Sequence, residues 1–356
     1  MGFEVGKTVA GYEIVDVLGS SKTGAAYKVR NVFAQRFEVL KILSKNVHGD
    51  EEQIARFLRE IKVHARLVHP NIVAFYNARE IDGQLVMTTE YVPGLTVAER
   101  LESGPITWRD AIQCTCQALS ALEYAHANGI IHRGLSPSNL VIAPDGTIRL
   151  SGFGMAKAAN DPQLTAAGTV VGPLRYISPE QVKAAKLDAR SDIYSLGLVL
   201  YEMLTGKLPF DVKGQFEMML AHVNTPPRHP SEVTAEVPRG LGDVVMKALA
   251  KEPDQRFQNA REFREALEQL TAGQQAVAVA VPAGAAAAVP VETQPIERVA
   301  RPAPGNTQHQ TPAPAPPPLV FGNSFLSRVG ISLVVCLVTF LLGSVALLAV
   351  MAMTER

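Results

Sequence analysis

The chain is poor in cysteine, which limits the frameworks that it can build. Only three cysteines occur among 356 residues. Cys114 and Cys116 lie two apart in a helical pattern, where they face different directions, and Cys336 lies in an apolar run. These cysteines do not suggest a disulfide framework. We expect reduced side chains that pack in the interior rather than a metal site.

The chain also lacks an excess of charge of either sign. It carries 34 basic and 34 acidic residues, so no long-range field attracts it to nucleic acid or to an anionic surface. The amino terminus, from Met1 to Val5, lacks the basic and then apolar pattern of a signal peptide. We therefore expect no nucleic-acid partner, and a globular part that stays in the cytoplasm.

Large apolar residues become scarce after residue 270. Residues 271–326 are rich in Ala and Pro, and residues 312–318 read PAPAPPP. Such a stretch buries too little apolar surface to fold, and its prolines favour extended backbone. We predict a disordered linker over 271–326 and one globular domain over 10–270.

A run without any charged residue follows the linker, over residues 329–353. It exceeds the roughly 20 apolar residues that are needed to cross a bilayer. A buried core helix is the alternative, but such helices are usually shorter and keep a polar face. We predict a single transmembrane helix over 327–353. Three residues follow it, which is typical of a tail-anchored protein without a domain beyond the membrane.

The first 70 residues show a strand pattern and then a helix pattern. Apolar-rich runs over 12–18, 25–30 and 36–42 predict antiparallel strands, with a glycine-containing turn between the first two. Apolar residues at helical spacing then predict an amphipathic helix from about 50 to 67.

Two loops in the middle of the chain carry the most informative motifs. His132, Arg133 and Asn139 keep the spacing of H-R-D-L-x-x-x-x-N, and Phe153 and Gly154 keep that of D-F-G. The two signatures belong to the catalytic and metal-binding loops of protein kinases. On these motifs the chain resembles bacterial eukaryotic-like Ser/Thr kinases. The resemblance implies an α+β fold of two lobes. The small lobe (10–92) has an antiparallel sheet plus a helix, and the large lobe (93–270) is mainly helical.

Further motifs extend the resemblance along the chain. Ser178 and Glu180 stand where the family has A-P-E, and Arg256 matches the usual partner of that glutamate. Asp192 fits the start of the central buried helix. His132 matches a packed, hydrogen-bonded core histidine rather than a base.

The resemblance also implies a nucleotide site. Lys41 matches the lysine that holds the α- and β-phosphates, and Glu60 matches its ion-pair partner. Read alone, Glu60 is a surface charge that pairs with Arg56 or His64 on its own helix. The glycine-rich turn is degenerate, because Ser21 replaces its middle glycine. The other positions that the resemblance assigns to the nucleotide are Gly19, Gly24, Ala26, Val39, Thr89, Glu90, Val92, Asn139 and Val141.

The residues that transfer phosphate in the family are missing here. Gly134 stands at the position of the proton-accepting aspartate and Gly152 at that of the magnesium-binding aspartate. Ser136 and Pro173 replace the lysine and threonine that assist the base. Asn139 alone makes a weak magnesium ligand. We therefore expect no intact catalytic residue, leave ATP binding open and do not expect a good magnesium site.

Arg133 is retained, and in the family it can bind a phosphorylated activation loop. Thr165 and Thr169 lie in the matching loop. One hypothesis is that a partner kinase phosphorylates one of them and that Arg133 binds the phosphate. The alternative is that both are ordinary exposed loop residues.

Three functions follow from these residues. The first is a membrane-tethered pseudokinase that acts as a scaffold or allosteric regulator, with other protein kinases or signalling proteins as partners. The second is an active Ser/Thr kinase with an atypical metal and base arrangement. The third is a nucleotide sensor that does not turn ATP over.

Overall fold

A computed structural model of the chain describes residues 3–20, 24–44, 51–155, 157–158 and 174–278. All belong to a compact unit that spans Met1–Gly284. The linker beyond residue 278 and the predicted membrane helix over 327–353 lie outside the described residues. Within the described ranges, no helix has the length and apolarity to cross a bilayer.

A six-stranded antiparallel sheet forms the first lobe. Its strands lie in the order β1-β2-β3-β4-β6-β5. Their bounds are β1 Thr8–Val9, β2 Tyr12–Ser20, β3 Gly24–Asn31, β4 Arg36–Leu43, β5 Phe75–Ile81 and β6 Gln84–Glu90. The three predicted strands are confirmed, each slightly longer than expected. Burial alternates along β4: Leu40 and Ile42 face a core of the sheet's own, so Val39 and Lys41 point to the opposite face.

Helix α1, Glu51–His64, follows β4. Its first turn carries Glu51 and Glu52 and its last turn Lys62 and His64, which suits the helix dipole. The helix ends at His64 and not at residue 67 as predicted, because the chain turns over the next two residues. Its inner face lies against the turn at Phe153–Met155, which brings it to the motif loops.

Two small sheets shape the loops of the second lobe. One has the order β10-β9-β7 and the other pairs β11 with β8. The bounds are β7 Leu95–Thr96, β8 Ile130–Ile131, β9 Leu140–Ile142, β10 Ile148–Leu150 and β11 Lys157–Ala158. The loop between β8 and β9 and the residues after β10 are thereby fixed side by side.

The rest of the second lobe is helical. Its helices are α2 Val97–Leu101, α3 Trp108–Ala127, α4 Pro179–Val182, α5 Ala189–Thr205, α6 Gln215–Asn224, α7 Pro230–Val233, α8 Arg239–Ala248 and α9 Ala260–Ala278. Nearly all of α5 is buried, because α3, α7, α8 and α9 pack around it. The α+β fold of two lobes is therefore as expected.

The last helix runs past the predicted domain boundary at residue 270. α9 continues to Ala278. Residues 271–278 read TAGQQAVA, which contains no proline and is rich in Ala and Gln, two good helix formers. The composition change that suggested a linker at 271 therefore begins inside a helix.

Candidate active site

A cleft of about 550 Å³ lies between the sheet, α1 and the loops after β8 and β10. It brings together residues far apart in sequence. Of the predicted site residues, it is lined by Gly19, Gly24, Ala26, Lys41, Glu60, Gly134, Ser136, Asn139 and Gly152. The sequence motifs thus converge on one cavity.

Strand register extends one wall of this cleft. Ala26 pairs with Lys41, and Val39 pairs with Thr89. Directly opposed residues of antiparallel strands point to the same face, and Val39 lies two residues from Lys41 on that face. A strip therefore lies beside Lys41, formed by Ala26, Val39 and Thr89. The resemblance to kinases assigns this position to adenine.

Like Val39 and Thr89, the last three positions predicted for the nucleotide, Glu90, Val92 and Val141, are outside the cleft lining. The Glu90 carboxylate accepts the backbone N–H of Ala74 at 3.1 Å and lies 3.5 Å from Arg149. Its side chain is therefore engaged within the protein. Val92 and Val141 are half-buried.

Lys41 and Glu60 form the ion pair that the resemblance predicts. Lys41 Nζ lies 2.9 Å from Glu60 Oε1. The alternative partners of Glu60 are engaged elsewhere: Arg56 pairs with Glu52 at 3.0 Å, and His64 Nε2 bonds the Val73 carbonyl at 2.6 Å. The pair ties α1 to β4 and leaves the lysine at the cleft wall.

Sequence reasoning missed three residues of α1 that line the cleft. Gln53, Arg56 and Phe57 lie beside Glu60 in the lining. Positions 53, 56, 57 and 60 share one helix face because they are spaced by three and four residues. Counting back from Glu60 along the helix would have found them.

His132 is a structural residue, as expected. It is fully buried, and its Nε2 lies 2.9 Å from the Ser151 carbonyl. Asp192 accepts hydrogen bonds from the backbone N–H groups of His132 and Arg133, both at 2.8 Å, and contacts His126 Nε2 at 2.7 Å. Burial raises the pKa of Asp192, but these donors outweigh it, so the pKa lies below its usual value. An ionised Asp192 thus fixes the loop.

Gly134 leaves the base position of this loop without a side chain. Its backbone N–H points to His132 Nδ1 at 3.3 Å. Arg133 before it adopts a positive φ of 64°, so the loop keeps a turn that is uncommon for a residue with a side chain. The loop geometry is present, but position 134 itself cannot accept a proton.

Gly152 is covered by an amide instead of carrying a carboxylate. Its φ is +85°, and a Cβ built on it would overlap Asn139 Nδ2 and lie 2.8 Å from Asn139 Cγ. The Ser136 hydroxyl donates to Asn139 Oδ1 at 2.8 Å. The amide NH₂ of Asn139 is thus turned towards Gly152, and its oxygen is turned away.

These residues do not fit a magnesium ion. Magnesium requires oxygen ligands and is usually held by carboxylates beside the phosphates. The Asn139 oxygen already accepts the Ser136 hydroxyl, and its NH₂ faces the position of the missing ligand. No cluster of His, Cys, Asp or Glu suited to a metal occurs in the part of the chain that the structure describes.

The residues around Gly134 and Gly152 are well packed. Phe153 is fully buried between two imidazoles, with ring centroids 5.5 Å from His64 and 4.7 Å from His132. In the second lobe, Arg256 holds both oxygens of Glu180 at 2.8 and 2.9 Å, as predicted. Burial opposes ionisation of Glu180, but the hydrogen bonds and charge of Arg256 lower its pKa overall.

Pro173, Thr165 and Thr169 lie outside the described residues. Arg133, which we expect to bind a phosphate on Thr165 or Thr169, is partly buried. Its Nε has no hydrogen-bond partner among the described residues. Burial lowers the pKa of its guanidinium, and the nearby charge of Arg59 acts in the same direction. An anion at this position would be favoured.

Residues 12–269 match the model of the protein kinase domain. The chain is 38% identical over 270 residues to the Ser/Thr protein kinase PknB of Mycolicibacterium smegmatis, covering 74% of this chain and 43% of that protein. It is 34% identical over 261 residues to PrkC of Bacillus subtilis, covering 73% and 40%. The chain thus spans less than half the length of these curated relatives.

Solved structures agree with these sequence matches. The PknI kinase domain of Mycobacterium tuberculosis is 30% identical and superposes with a TM-score of 0.60, over 75% of this chain and 99% of that domain.

Proposed function

The chain belongs to the protein kinase domain family, and from that premise we propose that it is a pseudokinase, a kinase-fold protein that no longer transfers phosphate. It acts by binding, as a scaffold or allosteric regulator in Ser/Thr phosphorylation signalling. Its partners are other protein kinases or signalling proteins.

One observation carries this proposal: glycine occupies both positions that the reaction needs, and the amide of Asn139 fills the space at the second. Phosphoryl transfer depends on positioning, charge neutralisation and a proton acceptor. Loss of the acceptor at position 134 alone costs about 10²- to 10⁴-fold in rate. Loss of the metal ligand at 152 removes charge neutralisation as well.

What this chain can still do is bind. Lys41, held by Glu60 at 2.9 Å, offers a cation to phosphate, and the strip of Ala26, Val39 and Thr89 offers a surface to adenine. We propose that ATP binds here without turnover and stabilises the fold. Thermal melting of the purified chain with and without ATP tests this, because a ligand of the folded state raises the melting temperature.

The second candidate is an active Ser/Thr protein kinase with an atypical metal and base arrangement. The relatives favour it more than they favour a pseudokinase, because they are named as Ser/Thr protein kinases. The intact Lys41–Glu60 pair is compatible with it.

A phosphotransfer assay separates the two candidates. We expect the purified full chain with radiolabelled ATP to label itself and a generic protein substrate at least about 10²-fold more slowly than the roughly 1–100 s⁻¹ of ordinary kinases. Rates in that ordinary range would overturn the pseudokinase. If the chain proves active, the double variant Gly134→Asp with Gly152→Asp shows whether other groups act as base and metal ligand. An unchanged rate means that they do.

We also propose that the charge-free run over 329–353 tethers the domain to a membrane from its cytoplasmic side. The full chain should sediment with membranes after carbonate washing, and a chain truncated after residue 326 should not. Equal partitioning of the two would contradict the tether.

A further inference from the structure

We propose that the cleft binds ATP in its metal-free form, with the Asn139 amide donating to a phosphate oxygen where a metal ion would otherwise lie. The inference rests on the proposed retention of nucleotide binding and adds how the phosphates are neutralised. Its starting point is that the residues of the cleft do not fit a magnesium ion.

The orientation of Asn139 is the first support. The Ser136 hydroxyl donates a hydrogen bond to the side-chain oxygen of Asn139 at 2.8 Å. The Asn139 backbone carbonyl accepts the N–H of Ser151 at 2.8 Å. Both bonds hold the residue in place. The group left at the cleft near Gly152 is the NH₂, a hydrogen-bond donor. A donor attracts phosphate oxygens and repels a cation.

The charge of the lining is the second support. Its charged residues are two cations, Lys41 and Arg56, and one anion, Glu60. Glu60 is already paired with Lys41, and Glu52 contacts Arg56 from outside the lining. The two pairs balance in charge and leave no carboxylate of the lining free, whereas a magnesium site needs carboxylates in excess.

These charges favour the more anionic ligand. Metal-free ATP carries two more negative charges than its magnesium complex, so the cations Lys41 and Arg56 attract its phosphates more strongly. The one carboxylate of the lining, Glu60, is bound to Lys41. The glycines at 134 and 152 place no carboxylate against metal-free ATP. The cleft therefore prefers free ATP.

The test is a titration of the purified full chain with ATP, once in EDTA and once in excess magnesium, by isothermal calorimetry. We expect binding in EDTA to be about three- to tenfold tighter than in magnesium. Binding that is tighter in magnesium would overturn the inference and leave the pseudokinase proposal intact. No binding in either buffer would overturn the inference and the proposed ATP site together, and phosphotransfer in the same sample would overturn the pseudokinase.

Asn139→Asp tests the role of the amide. It replaces the donor by a carboxylate of the same shape, so binding in EDTA should weaken about tenfold and the preference should shift to magnesium. Asn77→Asp is the matched control, since it makes the same chemical change at an exposed position of β5 and should leave both affinities unchanged. An unshifted preference in Asn139→Asp would overturn the assignment.

A second variant covers the case in which Asn139→Asp does not fold. Ser136→Ala removes the hydroxyl that holds the amide oxygen and leaves the amide in place. Binding in EDTA should weaken about threefold, because the NH₂ is no longer oriented. Unchanged binding in this folded variant would contradict the proposed orientation.

Discussion

At the scale of single residues, Gly152 combines two constraints that are usually separate. Its φ of +85° disfavours any side chain, and the Asn139 amide occupies the space that a Cβ would need. Gly83 shares only the first constraint, because its φ is +73° but no heavy atom lies within 4 Å of its built Cβ. The two glycines therefore allow backbone strain to be separated from steric overlap.

We predict that Gly83→Ala lowers the free energy of unfolding by about 1 kcal/mol, the cost of a left-handed backbone. Gly152→Ala should cost about 1–3 kcal/mol more, since Asn139 must move and lose its bond to Ser136. Urea unfolding of both purified variants measures the difference. Equal losses would mean that Asn139 moves aside freely.

At the scale of elements, one buried ion pair connects the parts of the large lobe. Arg256, whose side chain is fully buried, bonds both oxygens of Glu180 in α4 and the carbonyls of Ala250, Lys251 and Arg190. The surface pair of Arg261 and Glu123 also links distant segments, but the Arg261 side chain is 65% exposed. Burial should decide how much each pair contributes to stability.

We predict that Arg256→Ala lowers the free energy of unfolding by about 3–5 kcal/mol, because it leaves the Glu180 carboxylate buried without a partner. Arg261→Ala, the matched control, should cost about 1 kcal/mol or less. Denaturant titrations of the two variants measure both values. Similar losses would show that the buried pair is no more important than the exposed one.

At the scale of the whole molecule, three buried imidazoles make stability depend on pH. Burial lowers the pKa of His64 and of His132, and it lowers that of His222 to about 4, helped by the charge of Lys251. A lowered histidine pKa means that the unfolded chain binds the proton more tightly than the folded chain. Acid therefore favours unfolding.

We predict that the contribution of these three histidines to the free energy of unfolding is constant above about pH 6.5 and falls as the pH decreases towards 4. For His222 alone the loss is on the order of 3 kcal/mol, because its pKa drops from 6.5 to about 4 on folding. Urea unfolding at several pH values checks this, with His222→Gln as the comparison. A variant with the same slope as the parent chain would show that His222 does not contribute.

Much of the fold follows from local pattern and motif spacing. Alternating and helical periodicities depend on which residues must be buried, so they predict the strands over 12–42 and the helix that carries Glu60. Motif spacing also shows that Gly134 and Gly152 stand where the family has aspartates. A position within a motif corresponds to a role even when the structure is unknown. Element ends were less predictable: α1 ended earlier and α9 later than expected, because helix ends depend on packing and capping.

Contacts between residues far apart in the sequence could not be predicted from the sequence alone. Sequence alone left Glu60 with three possible partners, and the approach of α1 to β4 selects Lys41 at 2.9 Å. Nor does sequence indicate that Asn139 turns its NH₂ towards Gly152, since this follows from the Ser136 bond and the close contact of two loops. Residue types identify which side chains of the motifs are absent at positions 134 and 152. Which groups lie at those positions instead depends on side-chain directions, and these are fixed only when distant segments pack together.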